Sequence, residues 1–265
     1  MTKTIPFYKY QGTGNDFVMI DNREKQYLDR SKTQAINWLC DRRFGIGADG
    51  LILLQNRAGY DFEMVYFNAD GRESSMCGNG GRCIVAFANF LGVIEEECSF
   101  IAIDGPHEAL IRQDNWVELK MGDVTSVESG DNFYCLNTGS PHFVTFVDGL
   151  EQLNILQEGQ KVRYSDRFKN DGINVNFVEK RDQGFSIATY ERGVEAETLS
   201  CGTGVTAAAI AYYLENDRPF SGEIPVEAKG GQLKVRFEPQ EGTFTNIWLC
   251  GPAKQVFEGT VNVHL

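Results

Sequence analysis

The feature that most constrains this chain is that it repeats itself once. Thr13-Gly-Asn-Asp-Phe-Val, with Asp21 close behind, returns 125 positions later as Thr138-Gly-Ser-Pro-His-Phe-Val, with Asp148 close behind. Asp49-Gly-Leu-Ile-Leu returns as Asp171-Gly-Ile-Asn-Val after 122 positions, and Cys77-Gly-Asn-Gly as Cys201-Gly-Thr-Gly after 124. A weaker echo pairs Val117-Glu-Leu119 with Ile247-Trp-Leu249, 130 positions apart. With 28 glycines some matches arise by chance, but these keep their order and a spacing near half of the 265 residues. Any fold for this chain must therefore contain two similar supersecondary units. The length agrees, because single cores stop growing near about 250 residues.

Each half reads as strands around one apolar helix. Phe62-Glu-Met-Val-Tyr-Phe67 and Phe185-Ser-Ile-Ala-Thr-Tyr190 are aromatic and aliphatic runs that predict strands, each ending before a polar loop that carries a cysteine. The segments 78–91 and 202–214 are apolar on most faces, which predicts buried helices. A third helix is expected over 32–43, with Ser31 and Gln34 as a capping box and Ile36, Leu39 and Cys40 on the side that packs on the outside of its sheet. Its counterpart is expected at 150–156. The fold class is α/β (α+β), with two pseudo-symmetric halves, each a sheet or barrel wrapped around a central apolar helix. The halves are placed at 1–125, completed by the C-terminal strand 251–265, and at 126–250, with the boundary near 122–129.

Composition narrows the function classes. Twenty-five Lys and Arg against 37 Asp and Glu leave a formal charge of −12, which opposes nucleic acid and anionic membrane surfaces as partners. The most apolar stretch, 83–94, is broken by Asn89 and Gly92 and is shorter than the roughly 20 residues of a spanning helix. The first ten residues show neither an apolar run nor a small-residue cleavage site, so a cytoplasmic location is expected. Seven scattered cysteines suit neither a disulfide scaffold nor zinc spacing, so no metal is expected and any functional cysteine acts as a thiol.

Two of those cysteines stand at the two predicted helix starts. A helix N-terminus presents unpaired N–H groups and about half a positive charge, which stabilises an anion there. The same field lowers a thiol pKa from about 8.5 to roughly 3.5–7.5. The glycines after Cys77 and Cys201 let a ligand approach the bare amides. A carboxylate held between two such ends would place its α-carbon between two sulfurs. If one is thiolate and the other thiol, the first removes the α-proton while the second protonates the opposite face, inverting the stereocentre. The carbanion beside the carboxylate is then held by amides as an oxyanion is. No cofactor enters this scheme.

These residues give the chain a family resemblance. It resembles diaminopimelate epimerase over nearly its whole length, through Gly12-Thr-Gly-Asn-Asp-Phe, Arg43-Phe-Gly-Ile-Gly-Ala-Asp-Gly, Phe67-Asn-Ala-Asp-Gly, Met76-Cys-Gly-Asn-Gly-Gly-Arg-Cys, Gly139-Ser-Pro-His-Phe-Val, Tyr190-Glu-Arg-Gly, Cys201-Gly-Thr-Gly and Gly251-Pro-Ala. The resemblance implies a fold of two pseudo-symmetric halves with the active site in the cleft between them. It implies cofactor-independent interconversion of LL- and meso-diaminopimelate, serving lysine and peptidoglycan synthesis. Diaminopimelate is thus the expected small-molecule partner, and a homodimer the expected assembly.

Carried over position by position, the resemblance makes Cys77 and Cys201 the catalytic cysteines, with His142 and Glu191 assisting proton transfer. Asn15, Asn68, Asn174 and Arg192 match the positions that hold the distal amino-acid head. A guanidinium suits its carboxylate, and amide oxygens suit its ammonium. Gly78, Asn79, Gly202 and Thr203 match the helix-start residues that receive the reacting carboxylate. Three departures stand out: Gly50 where some relatives carry glutamine, Ser140 where many carry asparagine, and a loop over 193–200 one residue longer than the commonest spacing. Competing readings are a proline-racemase-like two-thiol racemase and a thiol redox or ligand-binding protein on the same fold. The second charged head implied by Arg192 and the asparagines disfavours the former, and the presence of Cys77, Cys201, His142 and Glu191 together disfavours the latter.

Overall fold

Leu51-Ile-Leu-Leu54 is buried at every position, so the strand it forms must be covered on both faces. The computed structural model, which describes residues 2–216 and 222–264, shows what covers it. The chain divides into two compact units, one running to Leu119 and resuming at Pro252, the other spanning Lys120–Gly251.

The first unit contains β1 (Thr2–Gly12), β2 (Asn15–Asp21), α1 (Thr33–Cys40), β3 (Gly50–Gln55), β4 (Phe62–Asn68), β5 (Glu73–Ser74), α2 (Gly78–Phe90), β6 (Glu97–Ala102), β7 (Gly105–Ile111) and β8 (Trp116–Lys120). The C-terminal strand Lys254–His264 returns to pair with β1 over nearly its whole length. The sheet runs C-terminal strand, β1, β2, β3, β4, β6, β7, β8. Pairing is parallel at β2/β3 and β4/β6, the two places where a helix makes the crossover. One face packs on α1: Ala35, Ile36, Leu39 and Cys40 join Ile5, Val18, Ile20, Leu51, Leu53, Val65 and Phe67 in one core. The alternate residues face α2, whose Gly80 lies against Ile52 and Met64. α2 is buried almost throughout, as the sequence predicts.

The second unit contains β9 (Val127–Gly130), β10 (Phe133–Asn137), β11 (Pro141–Phe146), α3 (Ile155–Arg163), β12 (Asn174–Lys180), β13 (Phe185–Glu191), β14 (Ala196–Thr198), α4 (Gly202–Glu215), β15 (Glu223–Ala228), β16 (Gly231–Gln240) and β17 (Thr243–Pro252). Its order is β9, β10, β11, β12, β13, β15, β16, β17, again parallel at β11/β12 and β13/β15. The two units therefore share one pairing scheme, with the C-terminal strand β18 holding in the first the place that β9 holds in the second. α4 buries Val205, Ala207, Ala208, Ala209, Ile210 and Ala211 against its own sheet. Each fully buried aliphatic side chain of this kind is worth roughly 1.5–3 kcal/mol.

Two helix expectations need correction. The first helix is shorter than 32–43, and its cap is not the expected box: Lys32 stands at the N-cap without a side-chain bond, while Ser31 Oγ donates to Asp29 at 2.6 Å. The counterpart at 150–156 is a single turn over Leu150–Gln152 followed by α3, which starts from an Asn154 cap and continues through Gly159. Glycine there is a packing requirement, because a Cβ would lie 2.5 Å from Tyr190 Cβ on β13.

Candidate active site

In the first unit Cys77 is the N-cap of α2, in extended conformation, and its sulfur accepts the backbone N–H of Gly80 at 3.2 Å. Gly78 and Asn79 form the first turn behind it and are buried. Three residues further on lies Arg82, fully buried and the one charged residue of its helix. Its guanidinium turns back along the helix, as long side chains in helices do, and donates to Gly78 O, Thr13 Oγ1 and Asn79 Oδ1 at 3.2, 3.1 and 2.9 Å. A whole positive charge is thus added to the half charge of the helix start.

The asparagines of this unit are held in place by neighbours. Asn15, at the start of β2, donates to Asp49 Oδ2 at 2.7 Å and accepts from Asn79 at 3.3 Å. Asp49 is itself clamped by Arg42, which also pairs with Asp16. Lys9 joins Asp16 at 2.7 Å, and Asp16 is held well below the usual carboxylate range by hydrogen bonds and charge from Arg42 and Lys9, which outweigh its burial. Asn68 ends β4 and accepts from Tyr66 Oη at 2.9 Å. Gly50 has no room for a side chain here, since a Cβ would lie 2.6 Å from Cε2 of the same Tyr66 ring and from Phe67 O.

In the second unit Cys201 is the N-cap of α4, also extended, with Gly202 and Thr203 as the first turn. Its sulfur is buried and lies 3.5 Å from Thr203 Oγ1. His142, on β11 and fully buried, places Nε2 at 2.9 Å from the same hydroxyl. Burial first, and the Arg192 charge second, push His142 down to about 3, so the imidazole is neutral at physiological pH. Its Nδ1 lies 3.1 Å from the amide nitrogen of Asn176 on β12. Asn176 also donates to Phe143 O at 3.0 Å and accepts from Thr189 Oγ1 at 2.9 Å.

A second cluster of this unit gathers Ser140, Asn174 and Arg192. Asn174 donates to Ser140 Oγ at 2.9 Å and to Pro141 O at 3.0 Å, and accepts from the backbone of Arg192 at 2.9 Å. The Arg192 guanidinium reaches Asp171 O at 3.1 Å and Ser140 Oγ at 3.4 Å. Ser140 Oγ is therefore a shared acceptor for both. Glu191 ends β13 half-buried, directly before Arg192.

The structure thus brings Asn15 to Asn79, Asn174 to Arg192, and His142 to Thr203 and Cys201, while Asn68 takes Tyr66 as its partner. Sequence reasoning passed over Asn176, Arg82 and Tyr66. The signal for Asn176 was present: asparagine is disfavoured in strands, and Asn174 and Asn176 alternate onto one face of β12. For Arg82 it was a charge within a helix of buried character. Among the described residues no group of three or more His, Cys, Asp or Glu is arranged to hold a metal ion, and no helix is long and apolar enough to cross a membrane.

Comparison with known proteins places the chain among relatives. The family model described as diaminopimelate epimerase matches residues 7–127 and 134–256. A diaminopimelate epimerase of Flavobacterium psychrophilum is 54% identical over 258 residues, covering 97% of this chain and 100% of that protein. One from Chlorobaculum tepidum is 41% identical, covering 95% and 99%. Among solved structures, a PhzF-family phenazine biosynthesis protein of Bacillus anthracis aligns with a TM-score of 0.74 at 16% identity, covering 98% of this chain and 99% of that one. A hydroxyproline epimerase from Agrobacterium vitis, solved with bound trans-4-hydroxy-L-proline, aligns with a TM-score of 0.70 at 14% identity, covering 98% and 92%. These two likenesses concern the fold.

Proposed function

This chain belongs to the diaminopimelate epimerase family, and from that premise we propose that it interconverts LL- and meso-diaminopimelate without a cofactor, using Cys77 and Cys201 as its acid and base. The observation that carries the reading is the matched pair of helix starts, each with a cysteine at the N-cap and a glycine directly behind it. The reaction needs one sulfur on either face of the α-carbon. A thiolate takes the α-hydrogen and becomes a thiol; the electron pair left on carbon is shared with the carboxylate. The other thiol then protonates the opposite face and is left as thiolate, and solvent exchange at the sulfurs resets the pair.

Helix-start N–H groups at Gly78, Asn79, Gly202 and Thr203 are assigned to the reacting carboxylate, whose charge grows as the proton leaves. Asn15, Asn68, Asn174 and Arg192 are assigned to the distal head, with Arg192 on its carboxylate. Glu191 and His142 are assigned to support of the thiols. A homodimer acting in the cytoplasm belongs to the same proposal.

The test is solvent deuterium incorporation at the α-carbon of LL-diaminopimelate. Wild type should exchange and epimerise. Cys77→Ala and Cys201→Ala should each lose at least about 10³-fold in kcat/KM, at the level of a general acid or base removed. No exchange by wild type, or full exchange by both variants, would end the proposal.

A further inference from the structure

The hydrogen-bond chain behind Cys201 has a direction that its own chemistry fixes. Phe143 O can only accept, so the group of Asn176 facing it at 3.0 Å is the amide nitrogen, and the Asn176 oxygen accepts from Thr189. The second amide hydrogen then points at His142 Nδ1 at 3.1 Å, which must accept. A neutral imidazole that accepts at Nδ1 carries its proton on Nε2, and that proton goes to Thr203 Oγ1 at 2.9 Å. The Thr203 hydroxyl keeps its own hydrogen, and Cys201 Sγ lies 3.5 Å away; a thiolate there can only accept, so in that state the hydrogen belongs to the sulfur.

We propose that the Thr203 hydroxyl donates a hydrogen bond to Cys201 that stabilises its thiolate, and that Asn176 is a positioning residue which, by fixing the His142 tautomer, keeps that hydrogen aimed at the sulfur. The inference rests on the reading of Cys201 as a reacting thiol. It gives His142 a different part from that of a proton carrier: a fixed donor, neutral throughout the working range, as its full burial requires. Gly204 shows how tightly the arrangement is built, since a Cβ there would sit 2.4 Å from Asn176 Oδ1 and 3.4 Å from His142 Cε1.

Two nuclear magnetic resonance measurements on the full-length protein test this without reference to turnover. Nitrogen-15 shifts of the histidines, only three in number, report the tautomer of His142. Carbon-13 shifts of the cysteine Cβ atoms, with Cys201→Ser giving the assignment, report each thiol's titration. Wild type should show neutral His142 protonated on Nε2 across pH 5–9. Thr203→Val should move the Cys201 midpoint up by about one pH unit, the scale of one hydrogen bond to a charged group, and leave Cys77 in place. Thr203→Ser should restore the wild-type midpoint. Asn176→Leu should mix the two tautomers of His142 and move Cys201 upward by less. An Nδ1-protonated His142 in wild type, or a Cys201 midpoint that Thr203→Val leaves unmoved, overturns the proposal. The two Thr203 variants decide the matter even if Asn176→Leu fails to fold. If the midpoints behave as stated but deuterium exchange is absent, the assigned reaction fails and the hydrogen-bond relay stands.

Discussion

The helix starts of the two units carry the same Cys-Gly-x-Gly and are backed by opposite chemistry. On the strand pair behind Cys77, Phe17 stands beside Gly50 and Ile52 opposes Tyr66. At the matching register behind Cys201, His142 stands beside Asn174 and Asn176 opposes Thr189. The helices differ in the reverse sense: α2 carries the buried guanidinium of Arg82, and α4 carries Thr206, which bonds back to Gly202 O at 3.0 Å. One helix start has a whole charge bonded behind it in an apolar setting, the other a neutral chain of hydrogen bonds. The backbone field common to both helix starts thus has two different settings, and the proposed reaction, which alternates acid and base between two thiols, has use for two that are held differently.

The sharpest way to break this comparison is to place the same methyl group at the same position of each helix. Gly204→Ala drives a Cβ to 2.4 Å from Asn176 Oδ1, whereas Gly80→Ala meets Cys77 Sγ at 3.1 Å and the flexible ends of Ile52 and Met64 at 3.2 and 3.4 Å. Alanine is favoured over glycine in a helix by about 1 kcal/mol, which offsets the milder clash. Displacing Asn176 also strips partners from His142 Nδ1 and Phe143 O, each loss costing about 1–3 kcal/mol. We expect Gly204→Ala to lose at least about 3 kcal/mol in denaturant unfolding and Gly80→Ala to stay within about 1 kcal/mol of wild type. Equal losses would show that the two settings are not different in kind.

Removing the charge is the next test. If the reacting carboxylate sits at the helix start, a separation on the order of 8 Å from the guanidinium would make that charge worth roughly 2 kcal/mol at an effective dielectric near 20. Arg82→Met should therefore weaken binding of diaminopimelate about 30-fold and move the Cys77 titration up by about one pH unit, with Cys201 unmoved. Arg82→Lys keeps the charge but not the forked contacts to Gly78, Thr13 and Asn79, and should recover most of the Cys77 midpoint. A Cys77 midpoint that Arg82→Met leaves in place would sink the charge argument.

Much of this was legible in the sequence because the repeat carries its meaning in glycines and hydrophobic runs. Cys77-Gly and Cys201-Gly mark the two helix starts, and Leu51-Ile-Leu-Leu marks a strand covered on both faces. What was not legible depends on contacts distant in the chain. Gly159 looks like a helix breaker until Tyr190, 31 positions on, is seen to need the space. Ser31 has the residue type of a cap but is drawn instead to Asp29. Arg82 and Asn176 lie inside apolar segments, where pattern reading treats a polar residue as noise. Only the pairing of β11 with β12, and the turn of α2 beside Thr13, show them to be the parts that distinguish the two halves.

The smallest expected effect concerns pH. His142 is held at about 3 in the folded protein, against an ordinary value of 6.5, by burial and by the charge of Arg192. Between those two values the unfolded chain binds a proton at this site that the folded chain refuses, so stability rises with pH across the window and is lost as pH falls from 6.5 toward 3. Above 6.5 the site contributes no slope. The limiting slope for one group is about 1.4 kcal/mol per pH unit. Phe17, at the matching place in the first unit, does not titrate, so this site's contribution has no counterpart there. Replacing the histidine by His142→Gln should flatten the stability profile between pH 6 and 5 by up to that slope, read as the difference in urea unfolding free energy between variant and wild type. If both proteins lose the same stability over that interval, the buried imidazole is charged in the folded state, and the neutral relay assigned to the Cys201 side fails with it.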